Sequence, residues 1–388
     1  MAIVEQKSIL MSTIVQYFES LQPMMTSWLN DLINTDTPSG HKSELDHFAE
    51  TFSSRFREDG AQIQIIEQSE SGNHVLIRFH PNYSRKKPIL LLGHMDTVWD
   101  LGESQRRPAY IEKGKVFGPG AVDMRGGLTL LLALSHYLSD FPHHLNRPVT
   151  MLLNSDEETG SHTSRLLIES QARESEAVLV LEPCLPGGAV KTFRKGVGNF
   201  KIIARGVAAH AGVNFFRGVS AIEEIAHQVL HLRKLCNPEK GATLNVGVIR
   251  GGSRSNVVAD HAEIEVDFRV RTIEEGERLM NAVFALEPKL EGADLQISGG
   301  LNRPPLERSA NVIQLFQKAK LIAAELGIPL EEGETGGGSD GCFTAALGIP
   351  TLDGLGPDGD GPHALHEHVL ISSLAPRAAL LTELVKRL

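Results

Sequence analysis

The segment PILLLGHMDTVW, residues 88–99, predicts a buried strand that ends on two polar side chains. An uninterrupted run of Ile and Leu bounded by Pro and Gly is typical of a strand covered on both faces. Side chains alternate along a strand, so His94 and Asp96 would leave the backbone on the same side. A polar strand end that turns into solvent is the alternative interpretation, and the rest of the chain has to decide between the two.

The composition indicates an ordinary globular protein with more than one domain. The chain has 388 residues, 41% of them hydrophobic, and single cores stop growing beyond about 250–300 residues. The formal net charge is −10, and no cluster of Lys or Arg stands out. We therefore expect neither nucleic acid nor an anionic membrane surface as a partner.

The cysteines and the apolar stretches bear on the compartment. Cys184, Cys236 and Cys342 are far apart in the sequence and form no C-x-x-C pair, which argues against a disulfide framework and against a thiolate zinc site. No run of about 18 apolar residues occurs, and the N-terminal residues lack a basic head followed by a long apolar stretch. The expected localisation is cytoplasmic.

The order of predicted elements favours an α/β fold with a mostly parallel sheet flanked by helices. Strand patterns alternate with helical patterns up to about residue 192 and again from residue 303 onward. Within the first part, Ser39 or Ser43 is a candidate cap for a helix that ends near Gly60. Residues 193–302 instead combine several alternating strands with two helices, which predicts an inserted α+β domain with an antiparallel sheet. We therefore expect a discontinuous domain of residues 1–192 and 303–388.

Three of the predicted strands lead directly into possible metal ligands. PILLLGHMD ends at His94, VTMLLNSDEE leads to Glu157 and Glu158, and AVLVLEP leads to Glu182. Ligands in open parallel sheets bind beyond the carboxyl ends of the strands, so these side chains should converge there. Taken one at a time, each is more often a solvated or capping residue.

Two further candidates come from loops. Asp123 lies in GPGAVDMRGG, where a carboxylate could also cap the following helix, and one histidine of GPHALHEHV follows a late strand. The carboxylates of Asp123, Glu158 and Glu182 would repel one another without a cation. Their three negative charges and that of one hydroxide balance the four positive charges of two divalent ions. Imidazole and carboxylate without thiolate suit zinc, or cobalt or manganese, better than calcium.

Together, these motifs resemble a known enzyme family. GHMDTVW, GPGAVDMRGG, NSDEETGS and LEP are similar to segments of the di-zinc metallopeptidases that include glutamate carboxypeptidase, aminoacylase, acetylornithine deacetylase and succinyl-diaminopimelate desuccinylase. The likeness covers nearly the whole chain, including RKGVGNF and AAHAG. TGGGSD and NRPPL bring it nearest to the bacterial glutamate carboxypeptidases.

The resemblance implies a role for each candidate residue of the first domain. Asp123 would bridge two Zn²⁺ ions and be followed by a cis peptide bond, and Glu157 would be the general base. Asp96 would hydrogen-bond the second ring nitrogen of His94. The remaining ligands would be His94 and Glu182 on one ion, and Glu158 and His363 on the other. His363 fits the family spacing because Glu367 follows four residues later, and His366 is the alternative.

The resemblance also implies roles for the insert. His210 in AAHAG would reach the active site of a second subunit and stabilise the oxyanion, which requires a homodimer built through the insert. The residues that would bind the substrate's carboxylate are Asn256, Arg269, Arg303 and the backbone of Gly336–Gly338, with Gly337 at its centre. A surface charge is the alternative for Arg269, and a flexible loop is the alternative for the glycines.

These implications define the expected function. The chain would be a zinc-dependent exopeptidase that hydrolyses an amide bond and releases a C-terminal amino acid from a small peptide. An N-acyl amino-acid deacylase shares the metal chemistry and is the alternative. A non-catalytic dimeric binding protein is the rival from another class, but it predicts losses among the ligands or the base, and the sequence retains all of them.

Overall fold

The computed structural model describes residues 2–79 and 85–388, with side chains from Ile14 onward. The sequence run HVLIRFH, residues 74–80, predicts a strand, and its last residue, His80, lies outside these ranges. The described chain divides into two compact units. The first unit comprises the residues up to Phe193 together with Arg308–Glu334 and Ser339–Leu388. The second unit comprises Arg194–Glu307 and Thr335–Gly338.

A six-stranded sheet, called the main sheet below, forms the centre of the first unit. Its strands in spatial order are Gln62–Ile66, His74–Phe79, Val149–Asn154, Ile89–His94, Ala177–Val180 and Thr351–Leu352. The three pairings among the last four strands are parallel. The second strand pairs antiparallel with both of its neighbours, so the other five strands run in one direction. The α/β class with a mostly parallel sheet is confirmed.

Helices cover both faces of the main sheet. The helices of the first unit are Ala2–Ile33, Lys42–Glu58, Glu103–Arg106, Gly126–Asp140, Arg165–Glu174, Ala310–Glu325, Gly341–Ala346 and Ile371–Arg387. Along strand Ile89–His94, Ile89 and Leu91 belong to one buried apolar cluster, and Leu90 and Leu92 belong to another. The Ile and Leu run at residues 89–92 is therefore buried on both sides, as its sequence predicts.

The start of the second helix corrects the sequence prediction. Helix Lys42–Glu58 is preceded by His41, and no side chain caps it. Ser39 does not cap the helix because its hydroxyl donates to a carboxylate oxygen of Asp96 at 2.8 Å. Ser43 lies inside the first turn, where its hydroxyl donates to Glu44.

A small four-stranded sheet in the first unit was not predicted from the sequence. Its strands in spatial order are Gly359–Asp360, His368–Leu370, Lys115–Phe117 and Tyr110–Glu112, and all pairings are antiparallel. Strands of two or three residues are too short for a period of two to be recognisable. The loop that carries His363 joins the first two of these strands, so the sheet fixes both of its ends. The third strand, Lys115–Phe117, precedes Asp123 in the chain, so the sheet also places this loop beside the segment that leads to Asp123.

The second unit is an antiparallel sheet with two helices, as the sequence predicts for the insert. The spatial order of the strands is Thr243–Gly251, His261–Val270, Gly196–Arg205 and Asp294–Arg303. Helices Ala221–Leu235 and Ile273–Phe284 are capped by the side chains of Ser220 and Thr272. Apolar residues of both helices and of the alternate strand positions form one buried cluster.

Two strands lie where the chain passes between the units, at Val190–Arg194 and Glu332–Thr335. Two-residue strands at Ala209–His210 and Val257–Val258 pair antiparallel within the second unit. Across the described ranges, no helix combines the length and the apolar character that crossing a membrane requires.

Candidate metal centre

The carboxyl ends of three parallel strands meet at one edge of the main sheet. Strand pairing places Asn154 opposite His94 and Val180 opposite Leu92, so the three strands end within two residues of one another. Glu157 and Glu158 follow the second of these strands, and Glu182 follows the third. The convergence expected from the sequence is therefore present.

The Asp123 carboxylate lies between two histidines. Its Oδ1 is 3.1 Å from Nε2 of His94, and its Oδ2 is 3.4 Å from Nε2 of His363. Each oxygen thus faces a different imidazole. A carboxylate that bridges two metal ions uses its two oxygens in the same divided way.

The other two carboxylates divide between the histidines. Glu182 Oε1 is 3.5 Å from His94 Nε2, and Glu158 Oε2 is 3.3 Å from His363 Nε2. Two sets of side chains bring their potential ligand atoms within 4.8 Å of one another, His94 with Glu157 and Glu182, and His94 with Asp123 and Glu158. The structure therefore brings together all five residues for which the resemblance implies a ligand role.

The three histidines of GPHALHEHV occupy different surroundings. His363 has a φ of 61° and lies beside the carboxylates. The ring of His366 lies next to Gly361, where an added Cβ would be 2.9 Å from its Nε2. His368 belongs to the small sheet, and its ring packs against Phe117 with 5.0 Å between centroids. This arrangement favours His363 over His366 as the ligand.

The orientation of His94 is fixed by the backbone of Asp96. Nδ1 of His94 lies 3.0 Å from the carbonyl oxygen of Asp96. Because a carbonyl only accepts, Nδ1 must carry the proton, which leaves the lone pair of Nε2 for a metal. The Asp96 carboxylate was expected to make this contact but is 3.5 Å from Nδ1.

The Asp96 carboxylate instead holds the loop of the two glutamates. It accepts the backbone N–H groups of Glu157 and Glu158, each at 3.2 Å, in addition to the hydroxyl of Ser39. Asp96 is buried, with 1% of its surface exposed. It therefore positions both neighbours of the metal centre, His94 through its carbonyl and the glutamate loop through its side chain.

The electrostatics of the cluster show how strongly it attracts positive charge. Burial lowers the pKa of His94, but the hydrogen bonds to carboxylates, that to Asp123 first, outweigh burial and raise this pKa well above its usual value. Hydrogen bonds to Asp123 and Glu158 raise the pKa of His363 to about 10. Burial raises the pKa of Glu158 to about 7. In metal-free protein, protons on these groups partly balance the carboxylates, a role that divalent cations would take over.

The residues fit a transition-metal centre. Glu158 Oε1 is buried and has no hydrogen-bond partner in the part of the chain that the structure describes. A buried carboxylate oxygen without a partner is costly unless a cation binds it. Two imidazoles and three carboxylates without a thiolate form a donor set that suits zinc, cobalt or manganese.

The segment before helix Gly126–Asp140 places Asp123. The peptide bond between Asp123 and Met124 is cis, as the resemblance implied. A Cβ added at Gly127 would lie 2.2 Å from the carbonyl oxygen of Leu181. Only glycine lets the start of this helix approach so closely to the strand end that leads to Glu182.

Glu367 is a functional candidate that the sequence interpretation used only as a spacing marker. It is 1% exposed, and its carboxylate accepts the backbone N–H groups of Gly120, Val122 and Asp123. Burial raises the pKa of Glu367 to about 7. The only sequence signal was its distance of four residues from His363, because periodicity does not show what a loop carboxylate contacts.

Within the second unit, three arginines contact the loop Gly336–Gly338. Arg269 donates to the carbonyl of Gly336 at 3.4 Å, and Arg194 donates to the carbonyl of Gly338 at 2.8 Å. Arg303 is 7% exposed, and its Cδ would lie 3.0 Å from a Cβ added at Gly338. The loop therefore directs carbonyls toward guanidinium groups, whereas the sequence interpretation expected its N–H groups to face a carboxylate. The Gly337 N–H lies 3.4 Å from Thr335 Oγ1.

Arg194 was not singled out from the sequence, although it lies in RKGVGNF. It is 3% exposed. Arg269 has an acidic partner, since its Nε and Nη2 donate to the carboxylate of Asp267 at 2.9 and 2.8 Å. This fork pairing shows how Arg269 could hold a carboxylate, but it also shows that Asp267 competes for the same face of the guanidinium.

His210 and Asn256 are neighbours in another part of the second unit. The backbone N–H of Ala211 donates to the carbonyl of Asn256 at 3.0 Å, next to the pairing of His210 with Val257. Both His210 and Asn256 are exposed. Nδ1 of His210 accepts the Gly212 N–H at 3.1 Å, which leaves its Nε2 as the ring's donor.

Comparison with known proteins agrees with the geometry of the site. Residues 90–387 match the model of "Peptidase family M20/M25/M40". Carboxypeptidase G2 of Pseudomonas sp. (strain RS-16) is 31% identical over 77% of this chain and 73% of its own length. A succinyl-diaminopimelate desuccinylase of Delftia acidovorans is 25% identical over 75% of this chain and 79% of its own length.

A solved structure adds a fold comparison. The Bacillus subtilis YXEP protein is described as a dinuclear metal binding peptidase from the M20 family, and it superposes with a TM-score of 0.68 at 15% identity. The match covers 95% of this chain and 98% of that one. At this identity the comparison supports the fold.

Proposed function

Because the chain belongs to peptidase family M20/M25/M40, we propose that it is a metal-dependent exopeptidase that releases a C-terminal amino acid from a small peptide or a related amide. Membership of the family confirms the broader prediction of a metallohydrolase that acts on peptide or amide bonds. The relative at 31% identity, a carboxypeptidase, supports the direction of cleavage.

One observation carries the proposal. The two oxygens of the Asp123 carboxylate face the Nε2 atoms of His94 and His363, with Glu182 on the first side and Glu158 on the second. His94 and Glu182 would hold one divalent ion, Glu158 and His363 would hold a second, and Asp123 would be within reach of both. Zn²⁺ is the proposed ion, and Co²⁺ or Mn²⁺ could replace it.

Bound ions would polarise the scissile carbonyl and lower the pKa of an attacking water. The residues of this chain manage the proton. Glu157, held by the bond from its N–H to Asp96, takes the proton from the attacking water on its carboxylate and passes it to the leaving nitrogen. The carbonyl of Asp96 accepts from Nδ1 of His94, which would leave Nε2 as the ring nitrogen that holds a metal.

The second unit would recognise the substrate's carboxylate. Arg303 is the main candidate because a buried guanidinium forms strong charge-assisted hydrogen bonds. Arg269, Asn256 and the backbone at Gly337 complete the proposed set. Arg194 supports it by donating to the carbonyls of Gly337 and Gly338.

We also propose a homodimer that forms through the second unit. Strand Thr243–Gly251 is an edge of its sheet, paired on one side with His261–Val270, and its exposed positions leave the other side open to a second copy. The exposed ring of His210 could then act in the partner's site as an oxyanion donor. We also propose the cytoplasm as the compartment, because the wide sequence spacing of the three cysteines argues against a disulfide framework.

A substrate comparison tests the direction of recognition. We expect metal-replete protein to hydrolyse peptidyl-glutamate or folyl-glutamate at least about tenfold faster, in kcat/KM, than N-acetyl-glutamate or N-succinyl-glutamate, because the same amino acid leaves in each case and only the acyl side changes. Amidating the released carboxylate should cost about 10- to 100-fold, the loss expected for hydrogen bonds to a charged group.

The outcome separates the two candidate activities. Faster hydrolysis of the acetyl or succinyl compounds would favour an N-acyl amino-acid deacylase, which the desuccinylase relative at 25% identity makes the second candidate. Equal rates with amidated and free carboxylates would contradict the proposed carboxylate recognition.

A further inference from the structure

The carboxylate of Glu367 accepts four hydrogen bonds at once. Its Oε1 accepts the N–H groups of Val122 and Asp123, each at 3.0 Å. Its Oε2 accepts the N–H of Gly120 at 2.8 Å and the indole N–H of Trp99 at 3.0 Å. Two carboxylate oxygens offer about four acceptor positions, so these contacts fill them.

The donors to Glu367 are all neutral N–H groups. In the described ranges no cationic side chain forms an ion pair with it, and the buried Arg125 guanidinium acts on its charge only from beyond ion-pair distance. Burying a carboxylate without an ion-pair partner is costly, and a complete set of hydrogen bonds offsets much of that cost. Such an arrangement is unexpected in a loop residue unless the loop needs a fixed position.

From this arrangement we propose that Glu367 is a positioning residue, which holds the Asp123 carboxylate between His94 and His363 and so maintains the geometry of the metal centre. The inference rests on the proposed function, because it assigns Glu367 a purpose within that centre. Glu367 itself is not a ligand, since N–H groups fill the acceptor positions of both its oxygens.

The backbone around Asp123 explains why an external acceptor is needed. Asp123 has φ −119° and ψ 94°, and Met124 has φ −127° and ψ 42°, so neither residue is helical. At this non-helical turn the N–H groups of Val122 and Asp123 both bond to Glu367. The side chain thus replaces the acceptors that a helix would supply.

Glu367 also ties the bridging segment to the loop of His363. Its carbonyl accepts the N–H of Gly118 at 3.2 Å, and its own N–H donates to the carbonyl of Ala364 at 3.0 Å. Further along the loop, Arg107 donates to the carbonyl of Leu365 at 3.2 Å and stacks on Trp99 at 4.2 Å. One residue therefore links the two segments that face each other across the centre.

The variant Glu367→Gln tests the proposal in the full-length protein. The glutamine amide has the same shape, but an NH₂ group replaces one of the two carboxylate oxygens. Each of those oxygens accepts two N–H groups, so two of the four hydrogen bonds are lost. We expect the affinity for Zn²⁺ and Co²⁺, measured by competition with a chromophoric chelator, to fall about 10- to 100-fold, as for other partners of metal ligands. The visible spectrum of the Co²⁺-loaded protein should change as well.

Glu224→Gln is the matched control. Glu224 is also fully buried, and its carboxylate accepts the backbone N–H groups of Lys289 and Leu290 and the amide of Gln228, but it belongs to the second unit. We expect this variant to lose folding stability and to keep its Co²⁺ affinity and spectrum. Trp99→Phe removes one donor to Glu367 and keeps an aromatic ring, so it should lower the affinity by a few fold even if Glu367→Gln does not fold.

The results separate this inference from the proposed function. If Glu367→Gln and Trp99→Phe bind Co²⁺ with wild-type affinity and spectrum, the positioning role is wrong, whatever the change in stability. If the wild type binds Co²⁺ but hydrolyses no amide, the proposed function fails and the positioning role is still decided by the variants. If the wild type binds no Co²⁺, both fail.

Discussion

Replacing Glu157 with Gln is expected to lower kcat about 100- to 10,000-fold, the usual contribution of a general base, while the bound metal stays nearly unchanged. The amide keeps the shape and the backbone bond to Asp96 but cannot accept a proton from water. KM should change little, because the variant removes proton transfer and not substrate contacts. Steady-state kinetics on metal-loaded protein, with metal content measured on the same sample, provide the test.

Glu176→Gln is a suitable control for this change. Glu176 precedes strand Ala177–Val180, at the end opposite to the one that leads to Glu182, and its side chain is 55% exposed. The variant makes the same chemical change at the other edge of the main sheet and should keep wild-type activity. A Glu157→Gln enzyme with wild-type kcat would show that another group moves the proton.

Replacing Asp123 with Asn is expected to have the other large effect, through loss of metal. The amide keeps one oxygen, but its nitrogen would face one of the two histidines, and an NH₂ group cannot bind a cation. We expect at least one ion to be lost and kcat/KM to fall about 1,000-fold or more, which corresponds to about 4 kcal/mol of transition-state stabilisation. Isothermal titration of the metal-free variant with Zn²⁺ measures the loss directly.

Asp140→Asn provides the comparison, at the last residue of the helix that follows Asp123, Gly126–Asp140. The Asp140 carboxylate accepts the hydroxyl of Tyr17 at 2.7 Å. This variant should keep its metal content and activity. If Asp123→Asn bound the same number of ions with the same affinity as the wild type, Asp123 would not be a bridging ligand.

The sequence predicted that the candidate ligands meet at one edge of the main sheet, because the ends of the strands that lead to them are recognisable. The apolar strand before His94 is recognisable from composition, and the parallel arrangement follows from the alternation of strands and helices. Together, these features place Glu158 and Glu182 at the same edge as His94 without any knowledge of the loops. His363 could be chosen over His366 only through the family spacing.

The contacts that the sequence did not predict are made by loops and by very short strands. The hydrogen bonds of Glu367 join residues far apart in the chain, and no periodic pattern shows them. The contact of His94 with the Asp96 carbonyl could not be told from one with its carboxylate, because both begin at the same residue. Arg194 lies at the end of a short strand, where the sequence alone cannot distinguish a buried arginine from one on the surface.

The most direct test of the metal centre is anomalous diffraction from crystals of zinc-loaded protein, measured on both sides of the zinc absorption edge. We expect two anomalous peaks, one on each side of the Asp123 carboxylate, the first next to His94 and Glu182 and the second next to Glu158 and His363. No peak at these residues, or peaks only elsewhere on the protein, would contradict it.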